Sequence, residues 1–299
     1  MAETPHIKPG VYPMLYSFFG SDGSLRLDSF RHQIDAALTA GCAGVAVLGL
    51  ATEVSKLTPA EREATLTTVA EHLAGDAALM VTVFGETPDQ QIEFARTATE
   101  LGADWLTLQP PPNQMGESEL FDFFSEVVGS LKSPLGIQNA PEFIGYGLSN
   151  EAIESLAQRY SNFMATKLEC PAADLAEVAE KLGSTVALFN GRCGLELPDN
   201  LRAGASGVVP SIESADVQNS VYQAFASGDQ ERADKLYADI LPVIASIMQG
   251  VPHLVAYGKL LAAERLGIEP CSGRGPQKSL TSFGTKVTKQ QAARLGPLK

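Results

Sequence analysis

The sequence predicts an α/β protein, a (β/α)8 TIM barrel followed by a C-terminal helical extension. Three observations carry that expectation. From residue 11, short apolar runs alternate with amphipathic runs of helical spacing, and eight such units pass before the alternation stops near residue 213. Eight is the number of strand–helix units that closes a parallel sheet on itself. A doubly wound open sheet would carry a glycine-rich phosphate loop after its first strand, and no GxGxxG stands there. The chain has 299 residues, 44% hydrophobic and 19% charged, enough for one large barrel with a sizeable core. The barrel is expected over residues 1–228, with a helical region packed on it over 229–299.

Residues 11–19 read as the first strand, with a turn at Ser21-Asp22-Gly23 and a helix over 27–40 that stops at Gly41. GVAVLG at 44–49 is the second strand, apolar on both faces as a buried parallel strand should be. Thr58-Pro59-Ala60-Glu61 is a capping box with proline at the first helical position, and Thr87-Pro88-Asp89-Gln90 repeats that grammar. Strands are expected at 79–84, 105–109, 135–139, 163–169, 186–190 and 207–210. Helices are expected at 119–131, 151–160 and 173–182 between them, and at 214–226, 229–248 and 252–266 beyond. Glu269 is the last acid. Six bases follow it (Arg274, Lys278, Lys286, Lys289, Arg294 and Lys299), and a basic tail on an acidic body is expected to pack on its own barrel or on a neighbouring subunit.

Composition removes several function classes. A net charge of −13 argues against nucleic-acid or anionic-membrane partners. No apolar run reaches the roughly 20 residues of a membrane helix. MAETPHIKPG at the start lacks the apolar region of a signal peptide, so a cytoplasmic protein is expected. Cys42, Cys170, Cys193 and Cys271 show no CxxC pairing and read as free thiols. His6, His32, His72 and His253 lie far apart, so no metal is expected.

In a barrel, chemistry sits where strands end. The stretch Phe163 to Glu169 reads as a buried strand, yet it holds Lys167 and, two residues on and therefore on the same face, Glu169. An ammonium is costly to bury unless paired, and a buried amine is the nucleophile of Schiff-base chemistry. Spacing alone fits a lysine reaching solvent beside a glutamate better than a catalytic one. Other strand ends add Ser17, Thr52, Glu53, Gln109, Gln138, Asn190, Arg192 and Ser211, with Glu196 soon after. Of these, Glu53 reads better as a holder of loop N–H groups than as a catalyst.

GLATE at 49–53, QNAP at 138–141, TKLE at 166–169 and FNG at 189–191 stand in the order and spacing of the dihydrodipicolinate synthase / N-acetylneuraminate lyase family, which the chain resembles over nearly its whole length. The resemblance implies a lysine Schiff base at Lys167, no other cofactor, a small 2-keto acid substrate and a homo-oligomer, tetramer or dimer. It implies substrate contacts at Gly49, Ala51, Thr52, Gln138, Asn190, Gly191 and Ser211. The departures are informative. Gln138 replaces the family's tyrosine, Pro111 and Pro112 replace its paired tyrosines, and Phe143 stands where synthases have an arginine. Lys167, Glu169 and Glu196 instead resemble the catalytic set of the 2-keto-3-deoxy-L-arabonate dehydratase branch. That pattern implies a dehydration giving 2-oxoglutarate semialdehyde in pentose catabolism. A pyruvate-releasing aldolase and a catalytically silent keto-acid-binding protein are the alternatives.

Overall fold

The computed structural model describes residues 7–269 and 274–298. Its strands are β1 (Gly10–Val11), β2 (Gly44–Val47), β3 (Ala78–Val83), β4 (Trp105–Leu108), β5 (Leu135–Asn139), β6 (Phe163–Leu168), β7 (Ala187–Asn190) and β8 (Gly207–Val208). All pairings are parallel, in the order β1-β8-β7-β6-β5-β4-β3-β2. The remaining seam, β1 against β2, is closed just past β1. There Met14 bridges Ala46 on one side and Ser211 on the other, and the Leu15 N–H donates to the Ala46 carbonyl at 2.9 Å. The expected TIM barrel is therefore the observed fold.

The first strand is shorter than its apolar run predicts. Tyr12 and Met14 still donate to Val208 and Pro210, but Pro13 between them has no N–H to continue a ladder toward β2. Residues 12–19 remain buried as irregular chain across the barrel. Inside, Trp105 of β4 stacks on Phe189 of β7 with centroids 5.1 Å apart, and Tyr12 meets both edge-on. These three strands are not neighbours in the sheet, so the rings touch through the interior and fill it.

The helix starts follow their caps. Thr58 accepts from the Glu61 N–H and Glu61 returns the bond to the Thr58 N–H, opening Pro59–Leu73. Thr87 caps Pro88–Glu100 in the same way. Two short helices, Pro141–Ile144 and Leu197–Arg202, escape the periodicity because four and six residues carry barely one turn of pattern.

Beyond the sheet, Gln230–Ile247 is one helix, and Val251–Leu266 runs on through a π-turn at Leu254–Gly258. Gly250, with φ of 114°, makes the break between them. The basic tail packs on its own chain. Arg274 grips the Glu61 carboxylate with two nitrogens, Lys289 pairs with Glu264 at 3.1 Å, and Arg294 donates to the Asp239 carbonyl. Lys299 and Cys271 lie outside the described residues. Among those residues no single helix is long and apolar enough to cross a membrane.

Candidate active site

Strand alternation turns Lys167 and Glu169 to the same side at the C-terminal end of β6, each about 5% exposed. The Lys167 Nζ donates to Glu169 Oε1 at 2.5 Å. The other carboxylate oxygen accepts the backbone N–H of Arg192, also at 2.5 Å. Gln138, the register partner of Lys167 on β5, reaches Oε1 with its amide nitrogen at 3.4 Å. Gly191 makes this packing possible, since a Cβ there would fall on the Glu169 carboxylate. The lysine of the strand is thus paired inside the barrel rather than carried to solvent. The contact sets a carboxylate base directly beside an amine of the type that forms imines.

The loop after β7 is strained in a concentrated way. Arg192, Cys193 and Glu196 all have positive φ, at 47°, 54° and 58°. Such backbone costs roughly 1–3 kcal/mol per residue and clusters at functional sites. The strain aims the Arg192 N–H at Glu169 and its guanidinium at Glu196, with NH1 to Oε2 at 2.8 Å. Glu142 stands 3.6 Å from the Arg192 Nε.

A cavity of about 40 Å³, room for about one water, meets the Lys167 side chain. Its polar wall is Lys167, Glu169, Arg192, Cys193 and Ser211. Its apolar wall includes Leu50, Ala51 and Phe143, and the corner before the π-turn closes it with Met248, Val251 and Leu254. A larger cavity of about 570 Å³, beside Tyr12, Asp104 and Trp105, touches the strand starts of β3 and β4, at the opposite end of the strands from Lys167.

The structure sorts the residues expected from sequence. Lys167, Glu169, Ala51 and Ser211 line the cavity, and Gln138 and Gly191 support Glu169 from behind. Thr52 is occupied elsewhere, its hydroxyl donating to the Leu15 carbonyl at 2.6 Å. Asn190 holds the loop by donating to Cys170 and Asn200. Gly49 packs under the Met14 side chain. Glu196 does not line the cavity. It sits beyond Arg192 with its side chain 42% exposed, because the left-handed turn just before Leu197–Arg202 directs it outward, where it pairs with the guanidinium. Glu53 pairs with Lys56 at 2.5 Å and with Lys259, so it holds charges rather than loop N–H groups.

Sequence reasoning passed over Glu213. Its side chain is fully buried and accepts from Ser211 Oγ at 2.9 Å, Cys193 Sγ at 3.1 Å and Tyr16 Oη at 3.0 Å. Burial pushes its carboxyl above the usual carboxylate range, and burial beside Glu213 pushes Tyr16 and Cys193 well up. Ser211-x-Glu213 after β8 repeats the spacing that drew attention to Lys167-x-Glu169, and that was the available signal. Cys42, Cys170 and Cys193 are free thiols, with burial pushing Cys42 and Cys170 up to about 12. Among the described residues no His, Cys, Asp or Glu cluster could hold a metal ion.

Comparison with known proteins bears on this site. Residues 8–282 match the Dihydrodipicolinate synthetase family. A 4-hydroxy-tetrahydrodipicolinate synthase of Methanococcus maripaludis is 28% identical over 79% of the chain and 81% of its own length. An L-2-keto-3-deoxyarabonate dehydratase of Azospirillum brasilense is 26% identical over 88% of the chain and 89% of its own. A putative dihydrodipicolinate synthetase from Pseudomonas aeruginosa superposes with a TM-score of 0.89 at 22% identity, covering 97% of this chain and all of that one.

Proposed function

We propose, from the premise that the chain belongs to the dihydrodipicolinate synthetase family, that it is a Schiff-base dehydratase of a 2-keto-3-deoxy sugar acid. Members of that family are lyases that work through a lysine imine without an external cofactor, and they are typically homo-oligomers acting on small keto acids. The observation that carries the dehydratase reading is the pair Lys167–Glu169, a buried amine and a buried carboxylate 2.5 Å apart on one cavity wall. The relative named as a keto-deoxy-arabonate dehydratase supports 2-keto-3-deoxy-L-arabonate as the first substrate to try.

Lys167 condenses with the C2 carbonyl and releases water. The resulting iminium withdraws electrons from C3, and Glu169 takes a C3 proton. The enamine then expels the C4 hydroxyl as water. Hydrolysis frees the lysine and an unsaturated keto acid, which tautomerises to 2-oxoglutarate semialdehyde. Gln138 and the Arg192 N–H hold Glu169 in place during these steps. Backbone N–H groups at Ala51 and Thr52 receive the substrate carboxylate, since the Thr52 hydroxyl is already engaged. Glu196 acts by holding Arg192, not on the substrate itself. With room for about one water, the cavity admits a five-carbon acid when the corner at Met248, Val251 and Leu254 moves outward. We place the enzyme in the cytoplasm, in pentose catabolism, as a tetramer or dimer.

Incubation with 2-keto-3-deoxy-L-arabonate followed by mass spectrometry tests this reading. Loss of one water is expected. Pyruvate with glycolaldehyde would establish the aldolase alternative instead. Borohydride treatment with substrate should fix an adduct on the peptide carrying Lys167, and its absence would leave only a binding protein.

A further inference from the structure

The dehydration just described leaves open where the departing hydroxyl obtains its proton. Glu169, which takes the C3 proton, is tied to Lys167, Gln138 and the Arg192 N–H, and Glu196 lies off the cavity wall. Ser211 is on that wall, and directly behind it is Glu213, fully enclosed.

We propose that Ser211 is the catalytic proton donor to the departing C4 hydroxyl and that Glu213, 2.9 Å behind it, is the positioning residue that replenishes it. This inference rests on the dehydratase reading.

Four features of the geometry support it. Glu213 has no solvent exposure, so Ser211 and Cys193 are its hydrogen-bonded links toward the cavity. Its second oxygen is held by Tyr16, which fixes the carboxyl plane. The main chain is clamped too, since Arg265 NH1 donates to the Glu213 carbonyl at 2.6 Å while the same guanidinium pairs with Asp216. Finally, Gly258 in the π-turn leaves room for the Tyr16 hydroxyl, where a Cβ would collide with it. The titratable and charged groups of the described residues against Glu213 are thus Tyr16, Cys193 and, through its carbonyl, Arg265. Burial raises the carboxyl, outweighing the hydrogen bonds it accepts from Cys193, Ser211 and Tyr16, which lower it, and so shifts it toward the acid form that a donor needs.

The protons balance. With Glu213 protonated, the bond in which Ser211 donates to it reverses: the Ser211 hydroxyl turns to the C4 oxygen and gives it a proton as the C4–O bond breaks, and Glu213 gives its own to Ser211. Water leaves, the C3=C4 bond forms, Glu169 is protonated and Glu213 is ionised. Hydrolysis of the iminium restores the Lys167 ammonium. The proton on Glu169 then returns through cavity water and Ser211 to Glu213, which resets both acids.

Ser211→Ala and Glu213→Gln separate this relay from imine formation. With 2-keto-3-deoxy-L-arabonate, both variants should give the borohydride-stable Lys167 adduct at the wild-type rate. Both should exchange the C3 protons into deuterium oxide, because Lys167 and Glu169 are untouched. Their kcat for water loss should fall about 100-fold, within the range for a removed general acid. In the wild type, kcat should decline on the alkaline side as Glu213 ionises, and Glu213→Gln should lose that limb. Unchanged kcat in either variant would overturn the relay. Adduct formation and exchange lost together with kcat would show that the cluster only holds the fold. A wild type that forms the adduct without eliminating water would defeat the dehydratase reading itself, whatever the variants do.

Discussion

Replacing Glu169 and Glu196 separately by glutamine should give sharply different enzymes. Glu169 accepts from Lys167, from the Arg192 N–H and from Gln138, all inside the barrel. Glutamine keeps one acceptor oxygen and puts an NH2 where the carboxylate met a donor, either the ammonium or the Arg192 N–H. Loss of a positioned base costs about 100- to 10,000-fold in rate. At about 1.4 kcal/mol per factor of ten, that is roughly 3–5.5 kcal/mol of barrier. Glu196→Gln removes a half-exposed partner of Arg192 and leaves an acceptor in its place. Exposed ion pairs contribute roughly 0–1 kcal/mol, so kcat should fall no more than about fivefold. The assay is steady-state water loss, with borohydride trapping to count imines and thermal melting to confirm folding. Melting matters because Lys167 loses its buried counter-charge in Glu169→Gln, and breaking a buried pair costs about 3–5 kcal/mol. Equal losses in the two variants, or a Glu169→Gln enzyme within tenfold of the wild type, would refute the assignment.

Three further outcomes follow from the geometry. Gly191→Ala should lower kcat by about 100-fold by displacing Glu169, with a stability loss of about 1–3 kcal/mol; full activity in a folded variant would mean that the carboxylate has room to spare. Arg274→Ala should cost about 1 kcal/mol near neutral pH, after discounting for a pair about a quarter exposed. Arg274 holds the Glu61 carboxyl down to about 2 from its ordinary 4.5, so this contribution is present above 4.5 and lost as pH falls toward about 2. A denaturant-measured difference that does not shrink in acid would refute the pairing. Glu213 has the opposite sign, since burial raises its carboxyl. The wild type should lose stability relative to Glu213→Gln as pH climbs above 4.5, at about 1.4 kcal/mol per pH unit until the folded group ionises. A pH-independent difference would show that Glu213 is as ionised inside the fold as outside it.

What could be read from the chain beforehand was whatever short-range patterning governs. Apolar runs and capping boxes at 58–61 and 87–90 placed the strand starts and helix starts to within a few residues, because burial on two faces and N-terminal N–H groups impose local rules. Lys167 and Glu169 were legible for the same reason, as neighbours on one strand face. What was not legible depends on backbone direction at single residues. Glu196 joins the site through the resemblance alone, and only the left-handed turn at 192–196 turns it outward while bringing Arg192 and Cys193 to the cavity.

Glu213 illustrates the other limit. Nothing local marks it as buried, and what encloses it comes from far along the chain: Tyr16 from the barrel seam, Cys193 from the loop after β7, and Arg265 and Gly258 from the helix Val251–Leu266. These elements meet because the barrel closes β1 against β8 and the last helices fold back over that seam. The helices that place Met248, Val251 and Leu254 over the cavity also clamp the acid beneath it. Covering the cavity and enclosing Glu213 are therefore two consequences of one packing arrangement.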